Sequence, residues 1–567
     1  MPAQCEPELN APETARHQTP TPTTRRIATW APALLLCVAV IATFAPALRS
    51  GFINWDDDSN LTTNPNFRGF TLDHLRWMAT TTLGGHYQPL TWLSFAANYA
   101  IGGMEPFGYH LTNLLLHAAN AVLAFVLLQR LLRPLALAPE GVLRSAAFVG
   151  ALFFAVHPLR VESVVWASER RDVLASLFWL VALLAYVGAA ETCGRHRARR
   201  LAVALAALVL SLLAKAWGIT FPVLLVILDA YPLRRFRRRL APVLAEKVPF
   251  VLVAALAGVV AFVAQRSAGM STLAHHGVMA RIAQSAYGLC FYLVKTAWPV
   301  RLQPLYAIPP DFDPLQARYV AAMIAVAIMT GIALIGWRRW PWLGVTWASY
   351  VVILAPVLGL AQTGPQLVAD RYTYLACLPA TALLTAALAR AMRALRAAGR
   401  SWITAPTAAA LAILAVLAFD QSRVWHDSIS FWSHVLRLDP NNVIAHNNRG
   451  SAQGVSESAL ADYSAAIRLD PTYYIAYVNR GAARDALGDK RGAMMDYAKA
   501  IDIAPDDPRA YNNRGWAREQ LRDWPGALTD YTRARDRAAV DSPYRTLAEQ
   551  NIAAVRAQIA NAGAHDD

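Results

Sequence analysis

The sequence predicts an all-α protein in two parts, a polytopic transmembrane helical domain followed by a tetratricopeptide-repeat α-solenoid. Three observations carry this. Of 567 residues 56% are hydrophobic and 16% charged, and the mean hydropathy is +0.29; a soluble domain carries about 25% charged residues. Twelve charge-free segments recur between short arginine clusters. Beyond residue 440 a helical pattern repeats at a spacing near 34 residues.

Residues 1–26 are polar and rich in Pro and Thr, which predicts a disordered cytoplasmic tail ending in Arg25 and Arg26. The membrane domain is expected over 27–420. Its charge-free segments run over 27–48, 106–129, 145–159, 173–190, 201–214, 216–228, 248–265, 282–294, 319–337, 340–369, 372–389 and 402–419. A helix needs about 20 residues to cross a bilayer, so several qualify directly and the short ones need argument. A secretory signal peptide is the competing reading of the first, and it too delivers Asp56 outside.

Net charge is +15, and only five of the 53 basic residues are lysine. Clustered arginines between apolar runs suit cytoplasmic loops better than a nucleic-acid surface. With the N-terminus inside, Arg130, Arg133 and Arg144, then Arg195 to Arg200, then "RRFRRR" at 234–239 all fall in the cytoplasm if 201–233 is a hairpin bent at "LAKAWGIT". The segment at 281–300 has a charge-free core of 13 residues; read as re-entrant or interfacial, it leaves about 11 spans and an external C-terminus. The arginine bias points to a high-GC bacterial genome, hence to a bacterial cytoplasmic (inner) membrane with a periplasmic repeat domain. The five cysteines are isolated, without metal-ligand spacing.

The domain expected over 421–567 holds three copies, "NNRGSAQGVSESALADYSAAIRLDP", "VNRGAARDALGDKRGAMMDYAKAIDIAP" and "NNRGWAREQLRDWPGALTDYTRAR", spaced by 31 and 34 residues. Each is a helical hairpin that cannot cover its apolar face alone, so three copies plus a flanking helix at 427–438 are near the minimum for a stable stack. The first copy lacks three residues between its helices, which predicts a tighter or distorted turn there.

On the outer side this topology gathers polar residues from five separated stretches: Asp56 to Asp58, "GYHLTNLLLHAANA", "HPLRVESVVWASERRD", Lys215 and "VADRYTY". Such convergence at one interface is what a membrane-embedded active site needs. His110, Asn113, His117 and Asn120 fall on one helical face. His117 and Asn120, deeper, suit an interhelical polar seam; His110, near the outer end, suits the site. A carboxylate at this mouth can act as general base while neighbouring cations neutralise an anionic leaving group. As a plain structural feature, the aspartate triplet would be a solvated loop or a helix cap. Two adjacent acids are compatible with a divalent cation but do not demand one, and no metal site is expected.

"FINWDDDSNLTTNPNF", "YQPLTWLSFAANYAIGGMEPFGYHLTNLLLHAANAVL", "LFFAVHPLRVESVVWASERRDVLASLFWL", "LLAKAWGITFPVLLVILDAYPL" and "VADRYTYLACLPA", followed by the repeats, resemble the transmembrane and tetratricopeptide-repeat protein O-mannosyltransferases and their bacterial relatives. The resemblance runs in order from about residue 28 to 540. It implies the GT-C fold, an active site on the non-cytoplasmic face, and a polyprenyl-phosphate sugar as donor. It also implies that Asp56 and Asp57 are the acidic pair of the first outer loop, with Asn64 six residues beyond Asp58. His157, Glu162 and Lys215 match the pattern, whereas Arg160 stands where the family often has histidine, and Ala216 where it has an acid or proline.

The reaction implied is transfer of a sugar, mannose by resemblance, to a protein Ser or Thr hydroxyl with inversion. Asp56 or Asp57 serves as base; Lys215, Arg171 and Arg371, with His157, His110 and Glu162, form the substrate-binding set. The expected partners are the lipid-linked donor, an acceptor protein docked by the repeats, and the membrane. Two other readings stand beside this one: a noncatalytic membrane scaffold for envelope assembly, and a lipid-linked glycan ligase or polymerase. A transporter is disfavoured because no matching interrupted spans appear in two halves of the chain.

Overall fold

The structure, a computed structural model, describes residues 22–237, 240–267, 277–309, 312–359, 366–395, 401–539 and 542–563. The expected disordered tail lies mostly outside the described residues, as do Arg238, Arg239, Arg396 and Arg400. Residues 1–426 and 427–567 form two compact units.

The first unit is helical apart from a small antiparallel ribbon pairing Tyr306–Ala307 with Gln366–Val368. Its helices are α1 Pro22–Thr43, α2 Leu72–Thr80, α3 Pro89–Gly102, α4 Pro106–Leu132, α5 Glu140–Val156, α6 Val161–Val165, α7 Arg170–Ala190, α8 Gly194–Ala214, α9 Phe221–Ala230, α10 Leu240–Ala245, α11 Val248–Ser267, α12 Val278–Ala297, α13 Ala317–Ile335, α14 Pro341–Leu354, α15 Thr373–Ala376, α16 Leu378–Ala394 and α17 Ser401–Arg423. Helix α1 starts at Pro22 and so takes in the last five residues of the expected tail.

Among the described residues, five helices are long and apolar enough to cross a membrane, and seven if each of two bent pairs counts as one span. The chain is an integral membrane protein. The expected eleven crossings include shorter apolar helices, Trp30–Thr43, Ala216–Ala230 and Pro341–Val357, which cross only where the bilayer thins or flanking side chains snorkel. Of segment 281–300, whose charge-free core suggested a short element, residues 281–297 belong to the continuous 20-residue helix α12, with Arg281 and Lys295 near its two ends.

Prolines and small polar turns set where helices stop near the future site. Proline disfavours helix in the residue before it, and α5 ends at Val156, with His157 extended ahead of Pro158. The α5–α6 pair is bent there by 56°. Lys215 is extended between α8 and a 3₁₀ turn, Ala216–Thr220, that leads into α9, so the hairpin turns at "LAKAWGIT".

The second unit comprises α18 Ser428–Leu438, α19 Val443–Ala452, α20 Glu457–Leu469, α21 Tyr474–Ala486, α22 Lys490–Ile503, α23 Pro508–Gln520, α24 Trp524–Arg537 and α25 Pro543–Gly563. The two helices of each hairpin pack by small-on-aromatic contacts. A Cβ on Gly481 would come within 2.6 Å of the Tyr497 ring, and one on Gly515 within 2.9 Å of Tyr531, so only glycine allows this approach. Of the two outcomes expected for the shortened first repeat, a tighter or a distorted turn, the turn is altered but longer, not tighter. Helix α19 has 10 residues where α21 and α23 have 13, and the linker at 453–456 is one residue longer than its counterparts. Removing close to one 3.6-residue turn from the end of a helix shortens it without turning its packing face away.

Candidate functional site

The "NWDDD" turn presents its three acids in three directions. Asp56 has φ 65°, a left-handed conformation that Asp and Asn tolerate better than most residues. The chain reverses there, so its side chain is exposed while that of Asp57 is buried. Asp57 Oδ1 accepts from the Ser168 N–H at 2.9 Å and the Ser168 hydroxyl at 2.5 Å, and its Oδ2 accepts from the Ile53 N–H at 3.1 Å. Asp58 stays local and accepts from the Ser59 N–H at 2.8 Å. Asn64 closes a turn by accepting from the Asn66 N–H at 3.0 Å.

Opposite this turn lies a buried charge network. Glu169 accepts from Arg171 through Nε at 3.0 Å and Nη2 at 2.8 Å, and from Lys215 Nζ at 2.5 Å. Lys215 also reaches Asp172 at 2.5 Å and lies 4.5 Å above the Trp217 ring; Ser163 donates to the other Asp172 oxygen at 2.9 Å. Glu162 holds Arg371 twice, through the Arg371 main-chain N–H at 2.8 Å and an ion pair with its guanidinium. Arg371 also stacks 5.6 Å from the Trp166 ring, and Tyr306 donates to Asp370 at 3.0 Å.

Electrostatics separates the acids. Burial would raise Glu169, but Arg171, Lys215 and Arg371 outweigh it and hold its carboxyl well below the usual range. Burial pushes Asp57 up to about 7 against the hydrogen bonds from Ser168 and Ile53. Asp56 is also raised: the protein packed around it dominates, Arg171 and Arg371 oppose it, and Glu169 and Asp58 add to it. Surface exposure beside this degree of desolvation describes a carboxylate on the rim of the cluster, facing two guanidinium groups. Among the described residues the Asp56 carboxylate has no hydrogen-bond partner.

The structure thus brings Asp56, Asp57, Glu162, Arg171, Lys215 and Arg371 into one cluster. The two remaining sequence candidates lie apart from its charges. His157 accepts from the Leu159 N–H at 3.2 Å and donates to the Thr296 carbonyl at 3.1 Å, so both ring nitrogens serve the backbone. His110 is buried at 1% exposure beside the main chain of Gly51 and Val165, with neither nitrogen in hydrogen-bond geometry to a described residue. Deeper on α4, Asn120 donates to the Tyr374 hydroxyl at 3.0 Å, and that hydroxyl meets His117 Nδ1 at 2.6 Å, an interhelical seam. Arg170 is consumed by Asn113, Asn98 and the Tyr109 and Ser94 carbonyls.

Sequence reasoning passed over Glu169, Asp172, Ser168 and His86. The first three lie inside the quoted "WASERRD" stretch, where alternating opposite charges were the available signal. His86 carried none. No group of three or more His, Cys, Asp or Glu side chains among the described residues is arranged to hold a metal ion. Cavities of about 410 Å³ and 510 Å³ lie away from this cluster, one at Arg390 and Arg393 and one between α1, α5, α16 and α17.

Fold and cluster define a polytopic helical membrane protein with a charged constellation at one end of its helices and a separate unit of tetratricopeptide type. In sequence it is similar to TMTC protein O-mannosyl-transferases. It is 30% identical over 227 residues to "Protein O-mannosyl-transferase Tmtc3" of Drosophila melanogaster, covering 36% of this chain and 24% of that one. It is 43% identical over 116 residues to TMTC2 of Mus musculus, covering 20% and 13%, and 30% identical over 226 residues to TMTC4 of Homo sapiens, covering 36% and 30%. The matched stretches span less than a third of the length of each of these relatives. No family model matches the chain. Among solved structures, the crystal structure of MamA is 23% identical, covering 25% of this chain and 82% of that one, with a TM-score of 0.19.

Proposed function

We propose that this chain is a membrane glycosyltransferase that moves a hexose, mannose by analogy with the names of its relatives, from a polyprenyl phosphate to a protein Ser or Thr hydroxyl. Transfer takes place on the non-cytoplasmic face of a bacterial inner membrane, across which the chain passes eleven times. The observation that carries this reading is the Asp56 carboxylate, without a hydrogen-bond partner among the described residues, raised in pKa and facing Arg171 and Arg371. A base needs a lone pair and a pKa near the working pH. Asp57, with both oxygens engaged, holds the turn.

The acceptor hydroxyl oxygen forms the new bond to the anomeric carbon as the bond from that carbon to the phosphate oxygen breaks. The bonding pair leaves on the phosphate, the hydroxyl proton passes to Asp56, and in-line displacement inverts the anomeric centre. Arg171, Arg371 and Lys215 offset the charge that gathers on the leaving phosphate. The repeat unit supplies the surface on which an acceptor protein docks.

The test is transfer of radiolabelled hexose from polyprenyl phosphate to an acceptor by the purified full-length protein. Losing a general base costs about 10²–10⁴ in rate, so Asp56→Asn falls by that factor. Asp57→Asn loses activity only as far as it loses folded protein. Full activity in Asp56→Asn refutes the assignment.

A further inference from the structure

The loop before α3 carries two polar side chains that the scheme above leaves unused. His86 is half-buried and follows Gly84 and Gly85, both at positive φ. Gln265, at the end of α11, donates its side-chain amide to His86 Nδ1 at 3.2 Å. An amide nitrogen only donates, so the proton of the neutral imidazole sits on Nε2. His86 lies among the charges of Arg171, Lys215, Glu169 and Arg371, and Arg171, Glu169 and Arg371 also surround Asp56. Burial, followed by Arg171 and Lys215, keeps its pKa well below the usual histidine range. It therefore acts as a neutral N–H donor.

Two residues on, Gln88 is 3% exposed and its Oε1 has no hydrogen-bond partner among the described residues. Native proteins seldom bury an acceptor unpaired, and such an atom calls for an explanation. His86 has extended backbone torsions, φ −122° and ψ 124°, and three residues beyond Gln88 the Thr91 hydroxyl donates at 3.1 Å to the carbonyl of Ala214, the neighbour of Lys215. The loop thus offers one fixed donor and one unused acceptor beside the charged cluster. Charge recognition is already supplied there by three cations; what remains is neutral and two-sided. A hydroxyl both donates and accepts, so a polyol is the ligand chemistry this pair fits.

We propose that His86 and Gln88 hydrogen-bond hydroxyls of the transferred sugar and set which hexose is accepted, an inference that rests on the glycosyltransferase reading. Full-length protein in detergent is assayed with polyprenyl-phosphate mannose and polyprenyl-phosphate glucose, which differ only at C2. His86→Phe and Gln88→Leu are expected to lower kcat/KM for the preferred donor by about tenfold, the worth of one neutral hydrogen bond, and to flatten the ratio between donors. His86→Gln, which keeps a donor at similar reach, is expected to restore the ratio. The acid limb of the pH profile, assigned to Asp56, stays in place in all three. An unchanged donor ratio in a folded His86→Phe protein overturns the inference while leaving the transferase reading intact. Should Gln88→Leu fail to fold, His86→Phe against His86→Gln decides. A wild-type protein that transfers neither sugar overturns the transferase reading and this inference with it.

Discussion

Ser168 gives Asp57 both its main-chain N–H, at 2.9 Å, and its hydroxyl, at 2.5 Å, joining two loops that lie 111 residues apart in the chain. This link sets the position of the acidic turn. The hydroxyl contribution is separable: Ser168→Ala keeps the main-chain donor and costs about 1 kcal/mol, whereas Asp57→Ala strands three donors and costs several times more. Thermal melts of the two purified variants check the order, and equal losses would refute it.

The same carboxyl has a pH signature. Burial raises Asp57 to about 7 in the folded protein, above the roughly 3.9 of an unfolded chain. Between those values the native state holds one proton more than the unfolded state. The contribution of Asp57 to stability is therefore complete below about pH 4 and falls by about 1.4 kcal/mol per pH unit until it is gone above about pH 7. Asp57→Asn removes this slope, and the difference between wild-type and variant melting curves across pH 4–8 measures it.

Asp56 makes a different prediction because its backbone is left-handed. Asparagine accepts φ near 65°, so Asp56→Asn keeps stability close to wild type while losing transfer. Asp56→Ala puts a Cβ-bearing apolar residue there and loses about 1 kcal/mol of stability as well. A stable Asp56→Ala and an unstable Asp56→Asn would contradict the turn geometry. Arg371 lowers the Asp56 pKa, so in Arg371→Gln the acid limb of the transferase pH profile moves to higher pH. A limb that stays put shows that another group is titrating.

What the sequence made legible follows from distance along the chain. Helical periodicity is local, so the four-residue polar face of α4, the stop at His157–Pro158 and the bend at Lys215 could be read directly. The convergence of acidic turn, lysine and "DRY" segment followed from alternating the spans. The partner of Asp57 could not be read, because nothing near residue 57 specifies Ser168. Glu169 looked like one charge in a mixed run, yet its burial between Arg171 and Lys215 arises only once α7 and α8 pack. The orphan acceptor of Gln88 is invisible without coordinates for the same reason.

In the repeats, one buried aspartate per hairpin accepts the arginine of the "NRG" motif: Arg480 holds Asp496 at 3.0 and 2.7 Å, and Arg514 holds Asp530 at 2.9 and 2.8 Å. A second arginine completes each, Arg484 at 2.8 Å and Arg518 at 2.9 Å. The shortened first repeat keeps the motif pair, Arg449 to Asp462 at 2.7 Å, although its partners are 13 residues apart and not 16. It replaces the second arginine with Gln453 at 3.2 Å and His446 at 2.9 Å. Burial would raise Asp462, but the hydrogen bonds from Arg449 and His446 bring it to about 2. Its stabilisation is therefore present above about pH 4 and lost as pH falls toward 2, a loss that Asp462→Asn abolishes.

The helical register behind that pair can be tested by insertion. Adding three alanines after Ser451 extends α19 by close to one turn, toward the length of α21 and α23, and leaves Arg449 on nearly the same face. Adding one alanine instead rotates the helix by about 100° relative to its linker. It forces either Arg449 away from Asp462 or the linker out of place. Circular dichroism melts of the full-length protein are therefore expected to show the single insertion more destabilising than the triple one, although it changes the chain less. If stability instead falls steadily with the number of residues added, linker length and not helical phase governs this repeat, and the reason given for its short first helix is wrong.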